Sequence, residues 1–177
     1  DMSVSNSVAR ILSDLHAEVY VNSRDDAKDA LIEAGIEAKA NTGSKDKFKV
    51  LLFDASNISN ADQLKQVYEF FHQVARSVEK SGRVVIIGRP PEDIDDVQTA
   101  LAQRSLEGFV KSVGKEFKRG ITAQLIYVAK GSEKNLDSAL RFFTSARSAY
   151  VSGQVVRVGA GNTIDIDWSQ PLAGKTM

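Results

Sequence analysis

The sequence predicts an α/β fold, a doubly wound and mostly parallel sheet in a Rossmann- or flavodoxin-like three-layer sandwich. Short apolar runs alternate with longer amphipathic segments, a pattern typical of βαβ units that form a parallel sheet through right-handed crossovers. Apolar residues make up 42% of the chain and charged residues 26%, as in ordinary folded domains. A chain of 177 residues is also long enough to bury a substantial core.

The N-terminal part predicts two helices and two strands. Helical spacing of apolar residues predicts the first helix, with a stripe formed by Val4, Val8, Ile11, Leu12 and Leu15. Residues 18–21 predict a short strand, and residues 25–34 predict a helix with acidic residues near its positive end and Gly35 at its stop. Residues 49–53 form an almost continuous apolar run, as expected of a strand buried on both faces.

The central part predicts a helix, a buried strand and a long helix. Ser59 with Asp62 resembles a capping box that opens the first of these helices. The apolar face of that helix comprises Leu64, Val67, Tyr68, Phe71, Val74 and Val78. Gly82 ends the segment, and residues 83–88 predict the strand. The long helix then carries Leu101, Leu106, Phe109, Val110, Val113 and Phe117.

The C-terminal part predicts a strand over residues 121–128, a helix over 135–147 and a strand over 154–158. After Gly159 the composition changes to glycine, asparagine, acidic residues and a proline, which is typical of a linker. We therefore expect one domain over residues 1–160 and a linker over residues 161–177.

Charge and composition exclude several classes of function. Lys and Arg total 23 and Asp and Glu total 23, a balance that argues against nucleic-acid binding. The absence of cysteine excludes disulfides, thiolate catalysis and cysteine-ligated metals. The longest apolar stretches are too short to span a bilayer, and no charged-then-apolar leader opens the chain. We expect a soluble, cytoplasmic protein with no membrane or nucleic-acid partner.

Ligands of a parallel sheet bind beyond the carboxyl ends of its strands, so the loops after Phe53, Ile87 and Val128 are the candidate site. These loops contain neither the glycine pattern of dinucleotide-binding proteins nor a phosphate-binding Walker loop. Ser56 and Ser132 have no histidine base in the same loops, so nucleophilic catalysis is unsupported.

The remaining chemically active side chains have simple structural explanations. His16 and His72 lie within predicted helices, where histidine is more often structural or solvated than catalytic. Four acidic residues lie together before the long helix: Glu92, Asp93, Asp95 and Asp96. They could form a cation site, but a solvated helix start that the helix dipole favours is the preferred interpretation. We therefore predict no metal site.

Three segments of the second half resemble successive blocks of the short-chain dehydrogenase/reductase family. They are residues 82–88 (GRVVIIG), 106–116 (LEGFVKSVGKE) and 148–155 (SAYVSGQV). Residues 7–35 also resemble the first helix, second strand and following helix of that family. The resemblance covers about residues 5–161 and implies a Rossmann-type oxidoreductase scaffold.

The resemblance places the Ser, Tyr and Lys that work together in that family on Arg89, Thr99 and Gln103. Thr99 cannot supply an acid of useful pKa and Gln103 carries no charge, so we expect no catalytic residue. The motif after the central strand is replaced over residues 53–56, the substrate lid is missing, and the chain begins after the expected position of the first strand and its glycine-rich turn. We therefore expect no cofactor bound by this chain.

Residues 168–176 (WSQPLAGKT) resemble the opening of a further reductase domain. A degenerate domain joined in this way to a complete one resembles the bacterial high-molecular-weight 3-oxoacyl-[acyl-carrier-protein] reductases. Their N-terminal domain is flavodoxin-like, and their C-terminal domain is catalytic. The resemblance implies NAD(P)H, and acyl carrier protein or acyl-CoA substrates in fatty acid synthesis, for a C-terminal reductase domain that would be this chain's partner.

Two hypotheses of different classes follow, together with a less favoured third. The first is a non-catalytic scaffold that contributes to a homo-oligomer, a dimer, through a helix-packing seam at Phe70, Gly108 and Phe109. A glycine in the middle of a helix costs about 1 kcal/mol unless close packing offsets it, and packing of Gly108 on its own sheet is the alternative explanation.

The second hypothesis is a binding module for a nucleotide, a flavin or an acyl carrier's phosphopantetheine. Its contacts would be the side chains of Arg89 and Lys130 and the amides of Gly88 and Gly131. The third, an active reductase, would need an unrecognised acid near Arg89.

Overall fold

The computed structural model describes residues 3–21, 25–40 and 47–161. Apart from Gly161, the predicted linker and the block at 168–176 lie outside the described residues. The helices are α1 (Val4–Asp14), α2 (Asp25–Glu33), α3 (Lys65–Val74), α4 (Val97–Glu116) and α5 (Asp137–Thr144). The strands are β1 (Tyr20–Val21), β2 (Lys39–Ala40), β3 (Phe48–Asp54), β4 (Val78–Gly88), β5 (Thr122–Val128) and β6 (Gln154–Val158).

The larger sheet has the strand order β3-β4-β5-β6, and all three neighbouring pairs are parallel. Its register aligns Phe53 with Ile86, Ile86 with Leu125, and Leu125 with Val155. β1 and β2 form a separate parallel pair. Helices cover both faces of the larger sheet, which confirms the predicted doubly wound α/β fold.

Two apolar clusters lie on opposite faces of the sheet because side chains alternate along each strand. On one face, residues such as Ile86 and Leu125 pack against α3 and α4. On the other face, residues such as Ile87 and Ile126 pack against α1 and α5. β5 is buried along its whole length, which places it at the centre of the sandwich.

The crossovers of the larger sheet do not all have one hand. β3, β4, β5 and β6 follow one another in a single direction across the sheet. α3 and α4 connect the first three strands on one face, whereas α5 connects β5 to β6 on the opposite face. The last crossover therefore has the opposite hand to the first two, and the prediction of uniformly right-handed crossovers was wrong. Leu140 and Phe143 of α5 complete the core beneath α1, and their burial holds α5 on that face.

β3 is less buried than predicted. Only Leu51 and Phe53 of this strand are buried, and its other residues are partly or fully exposed. Within the described part of the chain, β3 forms one edge of the larger sheet. The prediction of a strand buried on both faces was therefore wrong here, because the side of β3 away from β4 faces an open cleft.

The start and end of α3 also differ from the prediction. The backbone N–H of Gln63 donates to Asn60 Oδ1 over 3.1 Å, and the backbone N–H of Ser59 donates to Gln63 Oε1 over 2.7 Å. The side-chain hydrogen bonds before α3 thus come from Asn60 and Gln63, not from Ser59 and Asp62, and they surround a 3₁₀ turn at Asp62–Leu64, so the predicted capping box was wrong. At the other end, Val78 is not helical: it is the first residue of β4 and aligns with Phe48.

The predicted helix over residues 135–147 is shorter in the structure. A 3₁₀ turn at Glu133–Leu136 precedes α5, and a second 3₁₀ turn follows at Ala146–Ser148. Ser145 has an extended backbone, and its hydroxyl accepts a hydrogen bond from the backbone N–H of Arg147. This serine ends α5 because its side chain offers the backbone an alternative to the helical hydrogen bond.

Candidate functional site

The loops at the carboxyl ends of β3 and β4 are joined by the side chain of Gln103, which is fully buried in α4. Its amide nitrogen donates to the carbonyl oxygens of Ala55 and Ile58 over 2.8 and 2.7 Å. Its Oε1 accepts from the backbone N–H of Arg89 over 2.8 Å. Gln103 is therefore a neutral group that cross-links the two strand-end loops.

Tyr127 closes the same region from β5. Its ring is fully buried, and its hydroxyl donates to the backbone oxygen of Gln103 over 2.8 Å. Burial, followed by the nearby charge of Glu107, raises the pKa of the phenol well above its usual value. Tyr127 therefore stays protonated at neutral pH and is a poor proton donor.

Arg89 and Glu133 form an ion pair that joins the ends of β4 and β5. Arg89 Nη1 lies 2.6 Å from Glu133 Oε1 and donates to the carbonyl oxygen of Val128 over 3.1 Å. The Glu133 side chain is 8% exposed and that of Arg89 is 22% exposed. Arg89, which the binding-module hypothesis assigns to a ligand, is therefore already paired with a carboxylate of the protein itself.

The backbone amides of Glu133 itself and of Gly131 also favour the charged form of this carboxylate. Burial raises the pKa of Glu133, but these amides and the Arg89 guanidinium outweigh it and hold the pKa below its usual value. Glu133 thus gives Arg89 an internal, negatively charged partner at this strand end.

The other candidate residues do not converge with Arg89 and Gln103. The Thr99 hydroxyl lies at the start of α4, where it donates to the carbonyl oxygen of Ser59 over 3.0 Å and contacts Asp96 Oδ2 at 2.6 Å. Lys130 is exposed in the loop after β5. Gly131 adopts a φ of +83°, a conformation that glycine permits and side chains disfavour.

Gly88 is the last residue of β4, at the carboxyl end of the sheet, where a ligand-binding crevice between β4 and β5 would open. The space next to its Cα is filled. A Cβ atom at this position would lie 2.7 Å from Gln103 Oε1 and 3.1 Å from Leu106 Cδ1. The space next to the Gly88 Cα is therefore filled by the protein's own side chains.

Replacing Gly88 by alanine should reduce the free energy of unfolding by about 2 kcal/mol, because the added methyl group would be too close to the buried side chain of Gln103. Gly108→Ala is the matched control and should change stability in the opposite direction, by about 1 kcal/mol, since a Cβ there meets no described atom within 4 Å. Urea unfolding measures both. Equal effects of the two substitutions would contradict this description of the crevice.

The acidic group before α4 serves structural roles. Asp96 is the N-cap of α4, and its carboxylate accepts from the backbone N–H of Thr99 over 2.8 Å. Glu92 pairs with Arg157. Among the described residues, no group of His, Asp and Glu has the arrangement of a metal site.

The two histidines lie away from the strand ends. α1 ends at Asp14, so the prediction of a helical His16 was wrong: its backbone has a φ of +52° in the following turn. His72 is exposed on α3 and stacks on the ring of Tyr68, with centroids 5.3 Å apart.

Of the residues predicted for an interface, Gly108 is exposed and the two phenylalanines are partly buried. The ring of Phe109 packs on Phe71 at a centroid distance of 5.0 Å, and Phe71 in turn contacts Phe70 at 5.0 Å. No described atom outside the local helix backbone lies within 4 Å of a Cβ built on Gly108. Packing of Gly108 on its own sheet is therefore not its explanation.

The sequence matches no protein-family profile, and no curated protein is similar to it at a significant level. Solved structures are similar. BdcA in complex with NADPH superposes with a TM-score of 0.68 at 17% identity, over 88% of each chain. A short-chain dehydrogenase/reductase from Serratia marcescens gives 0.69 at 14% identity, over 90% of this chain and 93% of the other.

A third structure, described provisionally as a betaketoacyl-ACP reductase, gives a TM-score of 0.67 at 15% identity, over 89% of this chain and 92% of the other. The fold is that of the short-chain dehydrogenase/reductases. At these identities the similarity establishes the fold and leaves the chemistry to the residues of this chain. Within its described residues, none of the helices is both long and apolar enough to cross a bilayer.

Two features of the strand ends were missed by sequence reasoning. Gln103 lies on the buried face of α4 together with Ala102 and Leu106. A polar residue on an otherwise apolar helix face was the sequence signal that could have predicted its buried hydrogen bonds. Glu133 follows a glycine and a serine in a short loop and gave no comparable signal. Its pairing with Arg89 depends on the distance between two loops, which only the fold defines.

Proposed function

We propose that this chain is a non-catalytic, reductase-like scaffold that stabilises and dimerises a larger cytoplasmic 3-oxoacyl-[acyl-carrier-protein] reductase. The observation that carries the proposal is the closed crevice at the strand ends. Gln103 occupies the space next to Gly88, and the Glu133 carboxylate is paired with Arg89. A sheet that bound a dinucleotide here would need this crevice open.

The proton chemistry of the region supports the same proposal. Glu133 is the acid that contacts Arg89, and its lowered pKa leaves it ionised at neutral pH. Tyr127 has a raised pKa and remains protonated. A reductase needs a general acid whose pKa lies near the working pH, and neither group meets that requirement.

In this proposal the catalytic step belongs to a second reductase domain, joined to the scaffold domain of residues 1–160 through the linker of residues 161–177. That domain would use NAD(P)H to reduce 3-oxoacyl thioesters carried by acyl carrier protein or CoA in fatty acid synthesis. The sequence block at 168–176 supports this arrangement, as does the fold shared with a provisional betaketoacyl-ACP reductase.

The proposed dimer surface is the outer side of α3 and α4. Gly108 is exposed in the middle of α4, where glycine weakens a helix by about 1 kcal/mol without an intramolecular contact to offset it. Tyr68 is 63% exposed and Leu101 is 61% exposed on the same two helices. Phe70 and Phe109 would support this surface from behind, since both pack against Phe71.

Gly108→Leu should convert a dimer into a monomer in sedimentation velocity experiments, because the side chain would hold the partner helix away from α4. Gly159→Leu is the control, since Gly159 is exposed, also has open space at its Cβ, and lies beyond β6. A dimer that persists unchanged in Gly108→Leu would overturn the proposed surface.

The function itself is tested by thermal melts and reductase assays on this chain and on a longer chain that extends through the next domain. Acetoacetyl thioester and either nicotinamide cofactor serve as substrates. We expect turnover by the longer chain only, and no change in the melting temperature of the shorter chain with NADPH, FMN or acyl carrier protein at millimolar concentration. Turnover by the shorter chain would contradict the proposal, and a shift with any of the three ligands would favour the binding-module hypothesis instead.

A further inference from the structure

The amino end of the larger sheet carries a strong positive charge, although the whole chain is neutral. β3, β4 and β5 begin at this end, and α4 ends there because it returns the chain from the end of β4 to the start of β5. Residues 47–49, 76–81 and 115–119 lie at this end and contain seven basic and two acidic residues, so their net charge is +5. All seven basic residues are exposed, and together they are called the basic face: Lys47, Lys49, Arg76, Lys80, Lys115, Lys118 and Arg119.

A bulge at the start of β4 moves part of this face outward. The register advances from Phe48 to Val50 on β3 while it advances from Val78 to Arg83 on β4. Residues 79–81 are exposed, whereas Val78 and Arg83 on either side of them are buried. Because a bulge redirects the side chains of its strand, this one presents its charged residues to solvent.

The backbone of residues 76–80 holds three of the basic side chains in place. Lys47, Lys49 and Arg119 donate to carbonyl oxygens of this segment over 3.2, 3.4 and 3.0 Å. These carbonyl groups are neutral, so they order the side chains without cancelling their charge. None of the seven basic residues forms an ion pair with a described residue.

Arg83 adds a buried positive charge beneath the basic face. This residue is 3% exposed, and its Nε donates to the carbonyl oxygen of Ser145 over 3.0 Å. Its Nη1 donates to the carbonyl oxygens of Ser81 and Gly82 over 2.9 and 3.1 Å. All of these acceptors are neutral, and no described carboxylate pairs with this guanidinium. Because water screens a buried charge poorly, Arg83 raises the positive potential over the face.

The carboxyl end of the sheet has the opposite charge. The loops over residues 54–57, 89–96 and 129–137 contain seven acidic and three basic residues, so their net charge is −4. The molecule therefore has a charge dipole along its strands, which the neutral total conceals. This field attracts an acidic partner to the basic face and repels it from the carboxyl end.

We propose that the basic face binds the acidic surface of a partner protein. Glu79 and Glu116 lie among the basic residues and would repel a phosphodiester backbone or an anionic bilayer, whose charge is uniform. Basic side chains that are already ordered suit carboxylates that are also at fixed positions. Tyr150 is fully exposed in the turn that leads to the amino end of β6, and tyrosine is enriched at protein interfaces.

A second copy of this chain is a less suitable partner. Its acidic carboxyl end could contact the basic face only in a head-to-tail arrangement. Such a contact continues into a ring or a filament instead of closing as a two-fold dimer. The charge pattern therefore favours a different protein.

The test measures fluorescence anisotropy of a labelled helical peptide of about twenty residues with glutamates along one side. A single-stranded RNA and vesicles of phosphatidylcholine and phosphatidylserine, at about 4 to 1, represent the other classes of anionic partner. The charge-reversal variant is Lys80→Glu with Lys118→Glu, since neither ammonium group forms a hydrogen bond or ion pair with a described residue. Lys130→Glu with Lys134→Glu is the matched control, because both lysines are exposed at the carboxyl end and the change in total charge is the same.

We expect the parent chain to bind the peptide more tightly than the RNA or the vesicles at low salt. Charge reversal at Lys80 and Lys118 should weaken peptide binding at least about tenfold, the order of magnitude for several surface charge contacts. The control variant should weaken it by about twofold or less, since its charges lie more than a Debye length away. Lys80→Gln with Lys118→Gln should give an intermediate loss.

Three results would overturn the proposal. The first is a peptide that does not bind, or that loses affinity equally in the two charge-reversal variants. The second is tighter binding of the RNA or the vesicles, which would assign the basic face to another class of macromolecule. The third is salt-sensitive self-association in sedimentation that charge reversal at Lys80 and Lys118 abolishes, which would assign the face to a second copy.

Discussion

Replacing Gln103 by leucine is expected to lower the free energy of unfolding by about 4 kcal/mol, since each buried polar group left without a partner costs about 1–3 kcal/mol. The carbonyl oxygens of Ala55 and Ile58 and the backbone N–H of Arg89 would all lose their hydrogen bonds to this side chain. For a chain of this size the melting temperature should fall by about 8–16 °C.

Gln66→Leu is the matched control, because Gln66 is exposed on α3 and the same substitution there should change stability by about 0.5 kcal/mol or less. Differential scanning calorimetry measures both variants. If Gln103→Leu melted within 2 °C of the parent chain, the loss of stability would be on the order of 1 kcal/mol or less. The hydrogen bonds of the Gln103 side chain would then contribute little to stability. The crevice would then have to be held closed by apolar packing alone.

The second large effect is expected from Glu133→Gln, which should reduce the free energy of unfolding at neutral pH by about 3 kcal/mol. Removing one partner of a largely buried ion pair leaves the other charge without compensation. Arg89 would keep its contact with the carbonyl oxygen of Val128 and lose the carboxylate. Urea unfolding at pH 7 provides the measurement.

The contribution of Glu133 should also depend on pH. Its pKa is lower in the folded protein than in the unfolded chain, so its ionisation stabilises the fold at pH values above the unfolded value of about 4.3. That stabilisation is lost as the pH falls through the folded pKa. The difference in unfolding midpoint between the parent chain and Glu133→Gln should therefore narrow below about pH 4.

Glu69→Gln serves as the control for this series, since Glu69 is 51% exposed and pairs with Lys65 on the surface of α3. Its effect should stay within about 0.5 kcal/mol over the whole pH range, as surface ion pairs usually do. If the difference in unfolding midpoint between the parent chain and Glu133→Gln stayed constant from pH 7 to pH 3, ionisation of the Glu133 carboxylate would not be the source of the stabilisation.

The elements with strong patterns were predictable from the sequence. The helical stripe that includes Val4 and Ile11 became α1, and the apolar runs at 83–88 and 121–128 became parts of β4 and β5. Val78 was assigned to the wrong element because it continues the helical spacing of α3. In the fold it aligns with Phe48, and this pairing between distant segments outweighs the local pattern.

The candidate site was only partly predictable. Its location at the strand ends followed from the alternation of strands and helices, and the resemblance placed Arg89 and Gln103 there. What those side chains do was not predictable, because Gln103 bonds to residues more than forty positions away and Arg89 to a carboxylate on another loop. Hydrogen bonds between distant segments leave no periodic signal in a sequence.

The contact between α1 and α5 has a consequence for how the chain is made. α1 shares one apolar cluster with Leu140 and Phe143 of α5, which emerge from the ribosome more than a hundred residues later. At about 5–20 residues per second, α1 would wait on the order of 10 s before this part of its burial site exists. The nascent chain therefore carries an uncovered apolar stripe until α5 has been made, and this part of the packing of the N-terminal region is delayed until then.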